Sequence, residues 1–182
     1  MKSSLKIISV LTLICVLCAV CLSIVAGFAA DKIERNQKEA VEQALFTIAP
    51  SADRIDPFSI AKRQLYKLFD KEGILLGYGF LAGGQGYGGT IKIMAVMTPD
   101  LNNLLGMEVI ESVETPGLGA KIREISFKEQ FKSLSLSPKI EYTKDKISSS
   151  NQIRAITGAT VSSKAVVNIL NSEIEQLRKI ID

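Results

Sequence analysis

Residues 156–168 read ITGATVSSKAVVN, a run in which short hydroxyl side chains crowd a Gly-Ala step. Thr157, Thr160, Ser162 and Ser163 surround Gly158 and Ala159, and a helical pattern follows. Free backbone N–H groups and the positive end of a helix dipole favour an anion at such a start. Lys164 adds a countercharge. The alternative is a plain helix cap, a structural role that Ser and Thr often fill. A cap needs one such residue and this stretch supplies several, with no acid among them. A phosphate site and a cap both stand at this level.

Two further stretches offer chemistry. Residues 83–93, GGQGYGGTIKI, are so rich in glycine that the backbone is free to turn sharply or to approach a neighbour closely. No Gly-Lys-Ser/Thr ends the run, so it is not a Walker A loop, and a flexible strand connection is the plain alternative. In residues 113–122, VETPGLGAKI, Pro116 fixes φ while Gly117 and Gly119 free the chain on either side of Leu118. A bulky apolar residue between two glycines wants a surface to touch. Glu114 and Thr115 add polar groups beside it, so the loop reads either as one wall of a site for a planar ligand or as an ordinary turn.

Composition closes off several functions. The chain of 182 residues contains no His and no Trp. Histidine-based metal sites, Ser-His-Asp triads and His general bases are therefore excluded, and no catalytic residue or metal ligand is assigned. Beyond Lys2 and Lys6, basic and acidic side chains nearly cancel, and the basic stripe of a nucleic-acid binder is missing. The three cysteines, Cys15, Cys18 and Cys21, have a C-x2-C-x2-C spacing but no fourth ligand to complete an iron–sulfur cluster. Packing as small apolar residues, or contact with a partner helix, accounts for them.

The elements that must position these stretches can be laid out along the chain. Residues 7–30 carry no charge and are long enough, as a helix, to cross a hydrocarbon core roughly 30 Å thick. Lys2 and Lys6 precede them, while Asp31, Lys32, Glu34 and Arg35 follow without net charge, which puts the N-terminus inside and the rest outside. A signal peptide cleaved near AGFAAD is the rival, although its apolar region is usually shorter. Ile33, Ala40, Val41, Ala44, Leu45 and Ile48 then mark a juxtamembrane helix stopped by Pro50, and SADRIDPF reads as a polar linker. RQLYKLFD and ILLGYGFLA form a predicted hairpin turning at Lys71-Glu72-Gly73, and TIKIMAVMTPD and LLGMEVIESVET follow as strands around Asn102-Asn103. A short helix over SFKEQF, strands at KIEYT and IRAI, and the loop KDKISSSNQ lead to the C-terminal helix. Its apolar positions are Val161, Ala165, Ile169, Ile174, Leu177 and Ile181. The expected architecture is α+β, with a mainly antiparallel sheet and flanking helices. The expected division is 1–30 for tip and anchor, 31–56 for helix and linker, and 57–182 for the domain.

Taken together, ITGATVSSKAV, ETPGLGAKI and GYGGTIKI resemble three hallmarks, in order along the chain, of the flavin-binding subunits of membrane redox complexes. The resemblance is to the G subunit of the Rnf ferredoxin:NAD+ complex and, less closely, to the C subunit of the sodium-pumping NADH:quinone reductase. It implies FMN attached through its phosphate to Thr160 by a flavin transferase that uses FAD. It implies that Thr157, Gly158, Ala159, Ser162 and Lys164 seat the phosphate, and that Glu114, Thr115, Gly117 and Leu118 lie toward the ring. Arg154 stands where the pattern usually has an acid that helps the transferase, and Asp145 is too far upstream to replace it.

The implied function is an electron relay within an Rnf-type complex that couples ferredoxin:NAD+ electron transfer to sodium or proton translocation. Such a chain is an electron-transfer subunit rather than a complete enzyme. Its implied partners are the other membrane subunits, the transferase, and membrane lipid through residues 7–30, with no nucleic acid. Its implied place is the inner membrane, as a single-pass protein with an extracytoplasmic domain. Two alternatives remain: a stand-alone flavoprotein feeding an external reductase, and a non-redox anchored binding or assembly module.

Overall fold

The computed structural model describes residues 2–61 and 63–181; Met1, Lys62 and Asp182, each inside a range expected above, lie outside the described residues. The chain divides into a unit of residues 1–40 and a second unit beginning at Val41. The first is the body of α1, Lys2–Ile48. Among the described residues this is the one helix long and apolar enough to cross a membrane. Cys15, Cys18 and Cys21 are all exposed on it.

The second unit is built on a five-stranded antiparallel meander in sequence order. Its strands are β1 (Arg54–Ile60), β2 (Arg63–Phe69), β3 (Leu75–Gln85), β4 (Thr90–Met97) and β5 (Leu104–Ser112). The architecture is thus α+β, as the order of elements predicts. Both faces of the sheet are covered, which explains why β4 reads IKIMAVM with little polar alternation. Ile91, Ile93, Ala95 and Met97 face one core with β3 residues Phe80 and Ala82. Met94 and Val96 face the other, where Ala44 and Leu45 from the last turns of α1 pack. Gly79 permits that approach, because a Cβ there would sit 2.6 Å from Leu45 Cδ2.

One linker in the sequence reading is a strand. SADRIDPF contributes residues 54–58 to β1, so the expected boundary at residue 57 falls within a strand. Pro57 argues against a strand there, but β1 is an edge strand paired only with β2, where a residue without an N–H costs no ladder bond. Phe58 and Ile60 turn toward the larger core.

After β5 the chain crosses the first face of the sheet. A 3-10 turn at Gly119–Arg123, the single-turn helix α2 (Ile125–Lys128) and a second 3-10 turn at Glu129–Phe131 bury Ile122, Phe127 and Phe131. The two rings pack edge to face, 5.4 Å apart. The strands expected at KIEYT and IRAI shrink to three residues each, β6 (Glu141–Thr143) and β7 (Gln152–Arg154), paired in parallel and separate from the main sheet.

The C-terminal helix α3 (Thr160–Ile181) closes this layer. Val166, Val167 and Leu170 are buried along with Ile169, Ile174 and Leu177. Val161, expected on the apolar face, is 56% exposed, and the buried positions of this first turn are Ser162 and Ser163. The side chain of Ile181 lies outside the described residues. Asn171 and Arg178 are among the polar side chains that fix α3 to its neighbours. Asn171 accepts from the N–H of Ile140 and donates to its carbonyl (2.9 and 2.8 Å), and Arg178 donates to the carbonyls of Leu101 and Leu136.

Candidate functional site

A cavity of about 350 Å³ opens where the three glycine-containing stretches meet. Tyr87 comes from the β3–β4 turn, and Glu114, Thr115, Leu118 and Gly119 come from the loop after β5. Gly158, Ala159, Thr160, Val161 and Ser162 come from the start of α3. Stretches far apart in sequence are adjacent because β3, β4 and β5 are consecutive neighbours in the sheet and α3 returns across it.

The start of α3 resolves the role of each hydroxyl. Ser163 N–H donates to the carbonyl of Ala159 at 3.1 Å, so Ala159 occupies the cap position and has no side chain with which to cap. Ser163 supplies the missing tie from inside the helix: its buried Oγ donates to that carbonyl at 3.0 Å and accepts from Ile156 N–H at 3.0 Å. Ser162, 2% exposed, donates from Oγ to Glu114 Oε2 at 3.0 Å. Thr160 is partly buried and its hydroxyl has no partner within the chain among the described residues. The N–H groups of Thr160, Val161 and Ser162, the first three of α3, likewise have no acceptor among the described residues.

The loop walls are set by backbone geometry. Gly158 has φ +81°, and a Cβ there would stand 3.3 Å from Leu118 Cδ2, so the leucine lies against a bare backbone. Gly117 has φ +76° and reverses the loop after Pro116. The carbonyl of Thr115 accepts from Leu118 N–H at 3.2 Å and Ala120 N–H at 3.1 Å, which turns Leu118 outward. Leu118 is 47% exposed and Tyr87 72% exposed, an unusual pair of large side chains to leave open at one cavity. Glu114 is half-buried, and its oxygens receive Tyr87 N–H at 2.7 Å and Gly88 N–H at a longer 3.4 Å.

The expected site residues therefore do not all converge. Glu114, Thr115, Leu118, Gly158, Ala159, Thr160 and Ser162 line one cavity. Thr157 lines a separate cleft with Gln130 and Arg154. Lys164 lies on the exposed groove between α3 and the end of β3. Gly117 shapes the loop without lining the cavity. Tyr87, Gly119 and Val161 also line the cavity and are not among the expected site residues. An aromatic flanked by Gly86 and Gly88 is the signal for Tyr87, whereas the helical spacing of Val161 reads as core.

These features fit a flavin mononucleotide. Three unpartnered N–H groups at a helix start suit phosphate oxygens, a free hydroxyl lies beside them, and Leu118 and Tyr87 offer apolar area for a planar ring. Comparison with known proteins points the same way. Residues 86–175 match the FMN-binding domain family. The chain is 29% identical to the G subunit of the proton-translocating ferredoxin:NAD(+) oxidoreductase complex of Clostridium ljungdahlii, over 92% of this chain and 88% of the relative. It is 29% identical to the G subunit of the ion-translocating oxidoreductase complex of Methanosarcina acetivorans, over 96% and 94%. The fold resembles the crystal structure of Shewanella oneidensis NqrC, with a TM-score of 0.55 and 21% identity. That match covers 68% of this chain and 65% of the other. Every residue that lines the cavity falls within 86–175, the segment of the chain that matches the FMN-binding domain family.

Proposed function

We propose that this chain is the flavoprotein subunit of an Rnf-type complex, holding FMN as a phosphoester on Thr160 and relaying electrons between partner subunits. FMN, when bound, supplies one- and two-electron redox chemistry, while the protein supplies position and electrostatics. The observation that carries this reading is Thr160: among the four hydroxyls of its stretch, it alone both lines the cavity and lacks a partner among the described residues.

Each neighbouring residue then has a physical task. The N–H groups of Thr160, Val161 and Ser162 hold phosphate charge at the positive end of α3. Gly158 and Ala159 keep bulk away from the phosphate. Thr115, Leu118 and Tyr87 flank the ring. Lys164, exposed one turn further along α3, adds positive charge to that end. Thr157 and Gly117 set the course of their loops. Ser162 acts through Glu114 rather than on the phosphate.

We read residues 7–30 as the membrane anchor, with Lys2 and Lys6 on the cytoplasmic side of the inner membrane and the unit from Val41 onward extracytoplasmic. On this reading a flavin transferase delivers FMN from FAD, with the exposed Arg154 in place of the usual acid. The other membrane subunits supply donor and acceptor, coupling ferredoxin:NAD+ electron transfer to sodium or proton translocation. The likeness of the chain to two G subunits over most of its length supports this assembly.

The test is fluorescence of the denatured band. The full chain is exported in cells containing a flavin transferase, run on a denaturing gel and illuminated, with Thr160→Ala beside it. Fluorescence in the wild type and none in the variant is the expected outcome. A fluorescent variant would remove Thr160 as the tether. A dark wild type beside a labelled control protein would leave the non-redox binding module as the better reading.

A further inference from the structure

Glu114 does more than line the cavity. Its carboxylate receives Tyr87 N–H at 2.7 Å from the β3–β4 turn and Ser162 Oγ–H at 3.0 Å from α3, with Gly88 N–H more distant at 3.4 Å. These partners lie 27 and 48 residues away in sequence for the two short bonds. The space around the carboxylate is kept clear by glycines. A Cβ on Gly86 would fall 2.1 Å from Glu114 Oε1, and one on Gly119 would fall 2.4 Å from Oε2.

The chemistry of the partners explains why a carboxylate stands here. Both short contacts come from donors, and a backbone N–H can only donate. An ionised carboxylate is an acceptor on both oxygens, so one side chain satisfies both loops without placing a donor against a donor. Such charge-assisted bonds are also shorter and stronger than neutral ones. An amide in the same place has a single accepting oxygen.

We infer that Glu114 is a positioning residue that ties the 86–88 turn, the 114–119 loop and the first turn of α3 into one rim around the cavity. Its relevance to flavin rests on the function proposed above, whereas the tie itself does not. By engaging Ser162, Glu114 also occupies the neighbouring hydroxyl and leaves Thr160 as the free one. The negative charge it holds at the cavity wall opposes adding electrons to a bound ring.

The tie is tested on the full chain in detergent, made flavin-free by Thr160→Ala, by amide hydrogen exchange. Glu114→Ala should speed exchange at Tyr87 by about tenfold or more, the expectation for losing a bond to a charged acceptor. Met94 in central β4 should keep its protection. If Glu114→Ala also releases Met94, Glu114→Asp is measured instead; one methylene shorter, it keeps the charge but cannot span both loops, and the same acceleration is expected. Unchanged exchange at Tyr87 in a variant that protects Met94 overturns the inference.

A second readout uses the flavin-loaded chain with Thr160 intact. Glu114→Gln should raise the flavin potential, whereas Ser162→Ala, which breaks a bond but keeps the charge, should move it less. A potential unmoved by Glu114→Gln overturns the electrostatic part. Flavin absent from every chain, with Tyr87 exchange still governed by Glu114, would sink the proposed function and leave the tie standing.

Discussion

Gly158 and Gly117 separate two reasons for a glycine at the cavity. Both sit in the left-handed region, with φ of +81° and +76°. An alanine there costs about 1–2 kcal/mol from the contact of Cβ with its own backbone. The surroundings differ. A Cβ at 117 meets nothing within 4 Å, while one at 158 lies 3.3 Å from Leu118 Cδ2. That separation is slightly too tight, and Leu118 must give by turning off its rotamer, at about 0.5–1.5 kcal/mol. Gly117→Ala should therefore lose about 1–2 kcal/mol, and Gly158→Ala about 1.5–3.5 kcal/mol. In a Leu118→Ala background the excess at 158 should vanish while the strain remains. Urea unfolding of the full flavin-free chain in detergent reads these losses. With an m-value of about 2 kcal/mol/M, Gly117→Ala lowers the midpoint by about 0.5–1 M. Equal losses at the two positions, or an excess that survives Leu118→Ala, would refute the argument that Leu118 rests on Gly158.

Ser163→Ala removes a buried hydroxyl that serves both Ile156 N–H and the Ala159 carbonyl, and should cost about 1–3 kcal/mol in the same urea titration. Gly79→Ala forces a methyl to within 2.6 Å of Leu45 Cδ2. It should cost about 1–3 kcal/mol of overpacking, and Leu45→Ala should relieve part of this in the double variant. The hydrogen bonds that Asp100 accepts from the Thr98 hydroxyl and then from Asn102 hold its pKa below its ordinary value of 3.8. A depressed carboxylate pKa contributes stability above the unfolded value, and that stability is lost as pH falls through the folded one. Acid titration of stability should thus show a loss below pH 3.8 that Asp100→Asn makes shallower.

The β2–β3 hairpin, β4 and β5 were legible because their signals are local: a glycine turn, β-branched runs and polar breaks. Gly73 does adopt φ +80° in the turn that sequence assigned to it. β1 was hidden because the consequence of Pro57 depends on whether a strand is central or at an edge, and only the finished sheet decides that. Leu101 was hidden for a related reason. It takes φ +57° without being glycine, and the guanidinium of Arg178 donates to its carbonyl from α3. A turn held by a residue 77 positions away leaves no local signature.

The same distinction runs through the site. Sequence could say that hydroxyls were abundant at the start of α3, but not which were free, since freedom depends on partners. Ser163 is consumed locally, one turn into the helix, by the carbonyl of Ala159. Ser162 is consumed by Glu114, whose position is fixed by the path of β5 rather than by anything near α3. Thr157 lines another cleft, with Gln130 and Arg154. Thr160 remains because the helix begins at that residue, which places its hydroxyl beside the N–H groups that α-helical geometry leaves unpaired. The four hydroxyls of the cluster are therefore not equivalent. Two members build the rim, one lines another cleft, and Thr160 lines the cavity without a partner among the described residues. It follows that Ser162→Ala and Ser163→Ala should weaken the fold around the cavity, whereas Thr160→Ala should leave that fold intact and, on the function proposed above, remove only the tether.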